Sequence, residues 1–394
     1  MRTTINYSSY QTFVLWLLIV SGPLKSMFTY FYLDFNFTLF AFILAAVDIV
    51  VGMVFRRYEI VLTRESMFSL LMLFFIFVIM VISLLYTDSG LYAYEKSAIF
   101  IVNILYFIYP LFITKIDLEK LCKWLLWFFL PVAIMFVLAR FLYFSELNAD
   151  KTLIRYEFYL IRKHYLGLST TTAALILLLV YLKKPFIYTI IALTTLIGLG
   201  GRGAFLFLIF TLFIWKFDKI INFGSSFKLT RKHLTYSIFS ASAIVFVIYY
   251  FFDKIFAVIN FGLLRFKTLL DPSVDRSTRG RIERLEYTID SILAAPWKFI
   301  FGEGIGSFGI LYTGVDGREY PHNIYLEVLF ELGLLGLIPF LFFTIIPFWY
   351  KRNAFFQAFM LYFFLNALKS GDLTSIWTLF LSYGFIVFNP KIKT

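Results

Sequence analysis

The chain has 394 residues, of which 61% are hydrophobic and only 15% are charged, and its mean hydropathy is +0.83. A soluble domain carries about a quarter charged residues, and a soluble core of this size could not bury so much apolar surface. One cysteine, Cys122, excludes an intramolecular disulfide and a thiolate metal cluster, and three histidines make a multi-histidine metal site unexpected. The composition therefore predicts an integral membrane protein without a bound metal or cofactor.

Apolar runs of about twenty residues, the length that crosses a bilayer as an α-helix, recur along the chain. They predict an all-α, polytopic membrane protein of about twelve transmembrane helices, with residues 1–394 forming a single membrane domain. The first run, Phe13–Val20, is not followed by a small-residue cleavage site and is interpreted as a retained helix rather than a signal peptide. The predicted spans are 10–28, 36–54, 67–86, 98–114, 124–144, 166–182, 186–201, 203–217, 236–256, 323–348, 355–371 and 373–389.

Positive residues concentrate in the loops that follow the even-numbered predicted spans and in the C-terminal tail. The loop after the fifth span is an exception, because it lies on the other side and yet contains Arg155 and Arg162. Because lysine and arginine mark the cytoplasmic side, both termini are predicted to be cytoplasmic. The net charge of +12 mostly reflects this topology and does not indicate nucleic-acid binding, since no basic soluble domain carries it.

Residues 257–322 contain no run long enough to span and are predicted to form one large loop outside the cytoplasm. Within it, apolar residues recur at helical spacing and predict an amphipathic helix over 279–294 that ends at Pro296. Such a helix would lie on the membrane surface or across the mouth of a cavity. The apolar positions are Ile282, Leu285, Ile289, Ile292 and Leu293.

Arginines occur at two places that suit a phosphorylated ligand. Arg202 lies between glycines and between two closely spaced apolar runs, where a cation is costly unless it is paired or faces water. The alternative is an interfacial turn. In the loop, Arg279, Arg281 and Arg284 follow Arg276, and guanidinium groups bind phosphate oxygens bidentately. The alternative is a solvated helix face, in which Glu283 pairs with Arg279 or Arg284.

His322 lies where the loop re-enters the membrane, and histidine can accept a proton near neutral pH. Glu327 and Glu331 are four residues apart, on one face of the entering helix, and a carboxylate near the imidazole would hold its tautomer. The alternative is an interfacial histidine that only forms hydrogen bonds.

Other charged or glycine-rich positions carry weaker predictions. The spacing GxGxG at 302–306 lacks the surrounding βαβ unit of a nucleotide site and predicts a flexible turn that packs against the site. Lys369 and Asp372 are predicted to pair with each other at a short outer loop, and Asp48 and Arg140 have no assigned partner.

Four sequence segments together resemble the O-antigen ligase/polymerase superfamily of bacterial envelope glycan enzymes. They are GGRGAF, with Arg202 inside it; RGRIERLEYTI in the loop; FGEGIGSFG; and PHNIYLEVLFELGLLG. The resemblance covers about residues 190–345, and the helix layout with one large periplasmic loop extends it. It implies a GT-C-like membrane fold in the bacterial inner membrane, with the active site on the periplasmic side.

The resemblance also implies roles for individual residues. His322 matches the proposed general base, Arg202 the arginine assigned to the diphosphate, and Arg281 the loop arginine, with Arg279 as a close competitor. Asp372 matches an acidic residue of a late helix. Gly201 departs from the serine or threonine of many members. We also place Arg284 and Glu327 among the substrate-binding residues.

The implied activity is metal-independent, inverting glycosyl transfer from an undecaprenyl-diphosphate-linked glycan donor to a glycan acceptor, in contact with the bilayer. Motif set and length favour a polymerase of O-antigen, capsule or exopolysaccharide, with flippase and chain-length regulator proteins as partners. An O-antigen ligase acting on lipid A core or protein is the alternative. A flippase or secondary transporter, and a purely structural membrane subunit, are alternatives of other classes; no internal repeat of the kind common in transporters is detectable.

Overall fold

A computed structural model describes residues 7–30, 35–56, 62–145, 167–221, 276–350, 353–388 and 391–393. The chain divides into two compact units, one formed by residues 1–127 and 273–394 and the other by residues 128–272. Predictions for 146–166 and 222–275, including the span 236–256 and the start of the large loop, lie outside the described residues.

The described elements are helical apart from two short strands. They are α1 (Tyr7–Tyr30), α2 (Phe37–Arg56), α3 (Arg64–Ser83), α4 (Leu91–Phe112), β1 (Lys115–Asp117), α5 (Leu118–Trp124), a π-helical turn (Leu125–Phe129), α6 (Leu130–Ser145), α7 (Gly167–Tyr181), α8 (Phe186–Leu199), α9 (Arg202–Ile221), α10 (Arg276–Leu293), α11 (Pro296–Phe301), α12 (Ser307–Thr313), α13 (Ile324–Ile345), a 3-10 turn (Ile346–Trp349), α14 (Ala354–Ser370), α15 (Trp377–Phe388) and β2 (Lys391–Lys393).

Every predicted span except 236–256 coincides with described helices, which confirms an all-α fold. Among the described residues, five helical segments are long and apolar enough to cross a membrane, and five shorter apolar helices accompany them. The chain is thus a multi-pass membrane protein by these criteria, while the number of twelve crossings stays a prediction. The five long segments are Phe37–Val54, Arg64–Ser83, Leu91–Phe112, Leu118–Leu138 and Ile324–Trp349.

The core of the first unit lies where α4 packs on α15 and α3 packs on α13. Gly384 lets the two backbones of the first pair approach, because a Cβ there would meet the carbonyl oxygen of Phe107. Phe343 joins the pairs through edge-on ring contacts with Phe107 and Tyr383, at 5.1 and 5.5 Å between centroids. Dense packing of these helices fixes the ends of α4 and α13, where the polar residues lie.

One end of this unit gathers three chain segments. β1 pairs in parallel with β2, so that Lys115 lies opposite Lys391. The Ser8 hydroxyl donates to the Lys115 carbonyl oxygen at 3.1 Å, and the Asp117 amide donates to Thr12 Oγ1 at 3.1 Å. The start of α1, the α4–α5 connection and the C-terminal strand therefore lie at the same end, as the predicted topology requires.

The other end gathers the connection after α3 with the segment around α12. Thr87 Oγ1 donates to the Ile305 carbonyl oxygen at 2.8 Å, and Tyr86 Oη donates to that of Phe301 at 2.6 Å. Asp316 accepts from the Ser89 hydroxyl at 2.6 Å and from the first amides of α4. The later part of the large loop is therefore bonded to the body of the first unit.

The large loop contains more structure than one amphipathic helix. α10 ends at Leu293, close to the predicted boundary, and Pro296 occupies the first turn of α11 because a proline nitrogen needs no partner there. The buried side of α10 packs through Tyr287 and Ile292 on Phe308 and Phe330. Its other apolar residues are exposed; they are Ile282, Leu285, Ile289 and Leu293.

The glycine-rich segment 302–306 docks into a break in α13. Gly333 has φ 63° and ψ −167°, a conformation that interrupts the helix and that only glycine adopts readily. The freed carbonyl oxygens of Phe330 and Glu331 accept from the amides of Glu303 and Gly304 at 2.8 and 2.9 Å. The segment packs beside the site as predicted, and its backbone takes over hydrogen bonds that the helix gives up.

The second unit positions Arg202 at the start of α9. α8 ends at Gly200, whose left-handed φ of 69° allows a tight turn into α9. Gly201 packs against Ser169, because a Cβ would meet that side chain, and its carbonyl oxygen accepts from the Phe205 amide at 3.0 Å. Arg202 is therefore the first residue of α9 and directly follows a tight glycine turn.

Candidate active site

The segment Pro321–His322–Asn323 forms a tight turn at the start of α13. Asn323 Oδ1 accepts from the amides of Tyr325 and Leu326 at 3.0 and 3.2 Å and so caps the helix. His322 has φ 63°, in the left-handed region that side chains other than glycine rarely adopt. Such a conformation costs about 1–3 kcal/mol and is typical of functional sites. The cap fixes the imidazole at the point where the loop meets the helix.

The imidazole of His322 is half-buried and lies edge-on against the Tyr320 ring, with 4.4 Å between centroids. Burial, followed by the positive charges of Arg281 and Arg284, lowers the pKa of His322 to about 4. The ring is therefore neutral at pH 7 and able to accept a proton. Its Nδ1 atom is buried and has no hydrogen-bond partner within the described part of the chain.

The arginines of α10 differ in what they already bind. Arg279 is exposed and pairs with Glu283 at 3.2 Å, so the alternative of a solvated pair is correct for this residue. Arg284 donates to Glu319 through Nε and Nη2 at 3.2 and 2.8 Å, and through Nη1 to the Gly280 carbonyl oxygen at 2.9 Å. Of the two pairs that the solvated-face alternative offered, the one between Arg284 and Glu283 is not formed, because this guanidinium binds Glu319 near the end of the loop.

Arg281, on the same helix, keeps unused hydrogen-bonding capacity. Its charge acts on both His322 and Tyr320, and its Nε atom is buried without a hydrogen-bond partner in the described residues. Buried polar atoms are nearly always satisfied, so an unsatisfied guanidinium nitrogen within electrostatic range of an unsatisfied imidazole nitrogen indicates a place for a ligand. The arrangement can bind an anion and accept a proton in the same place.

Asp372 lies in the loop between α14 and α15 and binds Arg318, a partner that was not predicted from the sequence. Arg318 Nε and Nη2 donate to its two carboxylate oxygens at 2.9 and 3.1 Å, a bidentate geometry. Thr374 Oγ1 also donates to it at 2.7 Å, as does the hydroxyl of Ser375. Burial tends to raise the pKa of Asp372, but the ion pair with Arg318 holds this pKa below its ordinary value. Asp372 thus anchors the segment that leads to His322.

Glu327 and Glu331 bind a lysine instead of the imidazole. Lys96 Nζ on α4 donates to Glu327 Oε1 at 2.5 Å and to Glu331 Oε1 at 2.7 Å, and none of the three side chains is exposed. The interpretation that a carboxylate at one of these positions holds the His322 tautomer is therefore wrong. Glu327 and Glu331 lie on one face of α13, as predicted, and both carboxylates on this face bind Lys96 of α4.

The second oxygen of Glu327 connects this triad to the Asp372 loop. Oε2 accepts from the Leu373 amide at 2.9 Å, and the Leu373 carbonyl oxygen accepts from Asn103 Nδ2 at 2.7 Å. A continuous set of bonds therefore runs from Lys96 through Glu327 to the residues that orient Arg318. Asp48, elsewhere in this unit, accepts from Gln11 and Tyr109 at 3.3 and 3.1 Å.

Comparison with protein families yields one finding: residues 187–341 match the family described as O-antigen ligase. This match supports a relationship of the region to the O-antigen ligase/polymerase superfamily. The resemblance drawn from the sequence motifs is confirmed. Comparison with curated proteins and with solved structures gives no match.

The matched region contains Arg202, the α10 arginines, His322 and Glu327, whereas Lys96 and Asp372 lie outside it. The structure brings His322, Arg281, Arg284 and Asp372 into one electrostatic environment. Arg202 is half-buried in the second unit, and its role at the diphosphate stays a prediction.

Sequence reasoning missed two residues of this environment, Lys96 and Arg318. A signal for Lys96 was present, since two glutamates four apart in an apolar helix require a cation. For Arg318, the signal was the lone carboxylate of Asp372 at the end of an apolar helix.

Proposed function

We propose that this chain is a membrane glycosyltransferase that polymerises undecaprenyl-diphosphate-linked oligosaccharide repeat units by an inverting, metal-independent mechanism. One observation carries the proposal. The neutral imidazole of His322 and the guanidinium of Arg281 share one site, and each has a buried nitrogen without a partner in the described residues. A proton acceptor beside an anion ligand is what transfer from a diphosphate donor requires.

Arg281 is proposed to bind the diphosphate of the donor directly, and Arg284 to add a positive charge while its guanidinium remains bonded to Glu319. Guanidinium groups keep their charge at all physiological pH values and match phosphate oxygens with pairs of N–H donors. Arg202 is the proposed further ligand, supported by its position in the matched region. These charges stabilise the negative charge that develops on the leaving diphosphate, and no metal is required for that step.

His322 is proposed to act as the general base. Its free nitrogen takes the proton of an acceptor hydroxyl while that oxygen forms a bond to the anomeric carbon of the donor sugar. The bond between this carbon and the phosphate oxygen breaks on the opposite face, and undecaprenyl diphosphate leaves with the electron pair. A single displacement inverts the anomeric configuration and needs one proton acceptor, not the two carboxylates of a glycosidase.

Binding of the donor is proposed to make His322 a stronger base. In the free protein, burial and then the charges of Arg281 and Arg284 lower its pKa to about 4. A diphosphate seated on these arginines adds negative charge beside the imidazole and offsets part of their effect. The proton is then accepted most readily when the leaving group is in place.

Lys96, Glu327 and Asp372 are proposed as positioning residues. The carboxylates of Glu327 and Asp372 are already bonded within the protein, to Lys96 and to Arg318. Neither carboxylate is exposed, so both act on substrate through the groups that they orient.

The site is proposed to face the periplasm. It lies at the end of the first unit opposite to β1 and β2, and the loops at the latter end carry the excess of lysine and arginine that marks the cytoplasm. The proposed localisation is the bacterial inner membrane.

The test is an elongation assay with purified protein in vesicles and the lipid-linked repeat unit as both donor and acceptor. We expect a ladder of products from the wild type, none from His322→Ala, and an unchanged ladder from Lys123→Ala, an exposed position on α5. A full ladder from His322→Ala would contradict the assignment of the base.

A deletion strain separates the alternatives. Lipid A core capped with single repeats supports a polymerase, and naked core with accumulated lipid-linked polymer supports the O-antigen ligase alternative. Accumulation of the lipid-linked repeat on the cytoplasmic face would support a flippase and contradict the enzyme assignment.

A further inference from the structure

A cavity of about 320 Å³ opens at the site end of the first unit, between the start of α4 and the segment that follows α12. Its volume is at the lower end of the range for small-molecule sites, about 300–1,000 Å³. Its lining combines charged and polar groups with aliphatic and aromatic ones. The residues used below are Tyr92, Glu95, Ile99, Asp316, Arg318 and Thr374.

Arg318 connects this cavity to His322. Its Nε and Nη2 atoms are held by Asp372, while Nη1 makes no hydrogen bond within the described residues. The side chain is 53% exposed, and its guanidinium carbon lies 5.8 Å from the centroid of the Tyr320 ring. Since that ring contacts His322, a ligand held by Arg318 extends towards the proposed base.

The charges of the cavity disfavour a phosphate. Asp372 neutralises Arg318, and the carboxylates of Glu95 and Asp316 add negative charge to the wall. A diphosphate would be repelled here and attracted to Arg281, which acts on His322 but does not line the cavity. The cavity and Arg281 therefore suit different parts of a lipid-linked glycan.

The same wall suits a neutral polyhydroxylated ligand. Glu95 offers an exposed carboxylate, Thr374 a hydroxyl that can still accept, and Arg318 an outward N–H group. Asp316 is less available, because Ser89 and the first amides of α4 already bond its oxygens. Ile99 and Tyr92 provide the apolar surface on which the C–H face of a sugar ring packs.

We infer that this cavity is the subsite for the terminal sugar of the acceptor glycan, with Arg318 and Glu95 as binding residues. The inference rests on the proposed glycosyl transfer and adds the location and chemistry of the acceptor. The sugar lies in the cavity, its reacting hydroxyl points past Tyr320 to His322, and the donor diphosphate lies on the other side at Arg281.

The experiment uses the oligosaccharide released from the lipid-linked repeat unit by mild acid and tagged at its reducing end. It lacks the diphosphate and therefore serves as acceptor but not as donor. Its dissociation constant is measured by calorimetry on the full-length protein in nanodiscs, and its KM is measured in the elongation assay.

Glu95→Gln is expected to raise both constants about tenfold with little change in kcat, the effect of losing one hydrogen bond to a charged group. Ile99→Trp is expected to fill the cavity and abolish binding. The matched controls are Glu119→Gln, at the other end of the unit, and Ile101→Trp, an exposed position on the same helix. Both controls are expected to bind as the wild type does.

His322→Ala separates the two proposals, because it is expected to abolish turnover while the oligosaccharide still binds. Turnover by this variant would overturn the proposed function and leave the binding result standing. Unchanged binding in both Glu95→Gln and Ile99→Trp would overturn the acceptor subsite, whatever the outcome of the elongation assay.

Discussion

Lys96 on α4 and Glu327 on α13 form an ion pair of 2.5 Å between two side chains that have no exposed surface. Glu331, one turn further along α13, binds the same ammonium group at 2.7 Å. Buried charges are costly unless they are paired, so this triad strongly favours one alignment of the two helices. Because Glu327 also holds the Leu373 amide, the alignment determines where Asp372 and Arg318 lie.

Lys96→Met is expected to lower the free energy of unfolding by about 3–5 kcal/mol, since it leaves two carboxylates buried without their cation. Thermal unfolding in detergent measures the change, and Lys123→Met at an exposed position serves as the control. Adding Glu331→Gln to Lys96→Met is expected to recover part of the loss, because it removes one of the stranded charges. Equal melting temperatures for Lys96→Met and the wild type would contradict a structural role for the triad.

The helices were predictable because a bilayer imposes a length and a composition on each span. The triad was not, because the predicted span began at residue 98 and left Lys96 in a loop, whereas α4 begins at Leu91. The three residues before that predicted start are Glu95, Lys96 and Ser97, all polar, so hydropathy alone begins the span too late. Hydropathy cannot detect a cation that is buried by partners more than two hundred residues away.

In the candidate site, too, some features follow from local sequence and others depend on distant partners. The turn at His322 and the amphipathic helix follow from local patterns, namely an Asn cap and apolar residues at helical spacing. Which arginine is available depends on Glu319 and Glu283, and local sequence does not say which of them each guanidinium meets. Asp372 was assigned to its sequence neighbour Lys369, although Arg318, 54 residues away, binds it.

The proposed base has a pH signature. Because the neutral imidazole of His322 is the active form, kcat/KM is expected to fall only as the pH drops through about 4, the pKa of the free protein. An ordinary histidine would give a midpoint near 6.5. Donor binding offsets the arginine charges, so the acid limb of kcat is expected at a higher pH than that of kcat/KM. Coincident limbs near 6.5 would contradict this electrostatic account.

Arg281 and Arg279 provide a matched pair on one helix. Arg281→Gln is expected to lower kcat/KM by at least about a hundredfold, because the leaving diphosphate loses a charged ligand, the size of effect seen for other transition-state donors. Arg279→Gln breaks only an exposed pair and is expected to change the rate less than about threefold.

A second measurement tests the Arg281 prediction independently of turnover. Proton NMR of the His322 ring, assigned by its absence in His322→Ala, is expected to titrate at a higher pH in Arg281→Gln, because one of the charges that lower its pKa is removed. An unchanged titration would place Arg281 away from the base.

Substitutions at Gly333 and Gly314 can distinguish two reasons for a glycine: a lack of space for a side chain and a backbone conformation that side chains disfavour. Both have positive φ, 63° and 74°. A Cβ at Gly333 would meet the backbone of Ile300, whereas nothing lies within 4 Å of one at Gly314. Gly333→Ala is expected to displace the segment 302–306, lower the melting temperature and abolish elongation. Gly314→Ala is expected to cost only the backbone strain of about 1–2 kcal/mol and to remain active. Equal melting temperatures for the two variants would contradict the docked arrangement.

The side of the membrane on which the site lies can be tested by cysteine labelling, since the native Cys122 is fully buried and gives little background. Val315→Cys introduces a thiol at an exposed position of the site end, and Lys115→Cys introduces one at the end formed by β1 and β2. In intact spheroplasts, a membrane-impermeant maleimide is expected to modify the cysteine at position 315 and to reach the one at 115 only after permeabilisation. The opposite pattern would put His322 on the cytoplasmic side, where a polymerase that acts on periplasmic lipid-linked glycans could not use it. Because the two positions belong to one unit and lie at opposite ends of α4, a single pair of labelling experiments decides the orientation of that unit.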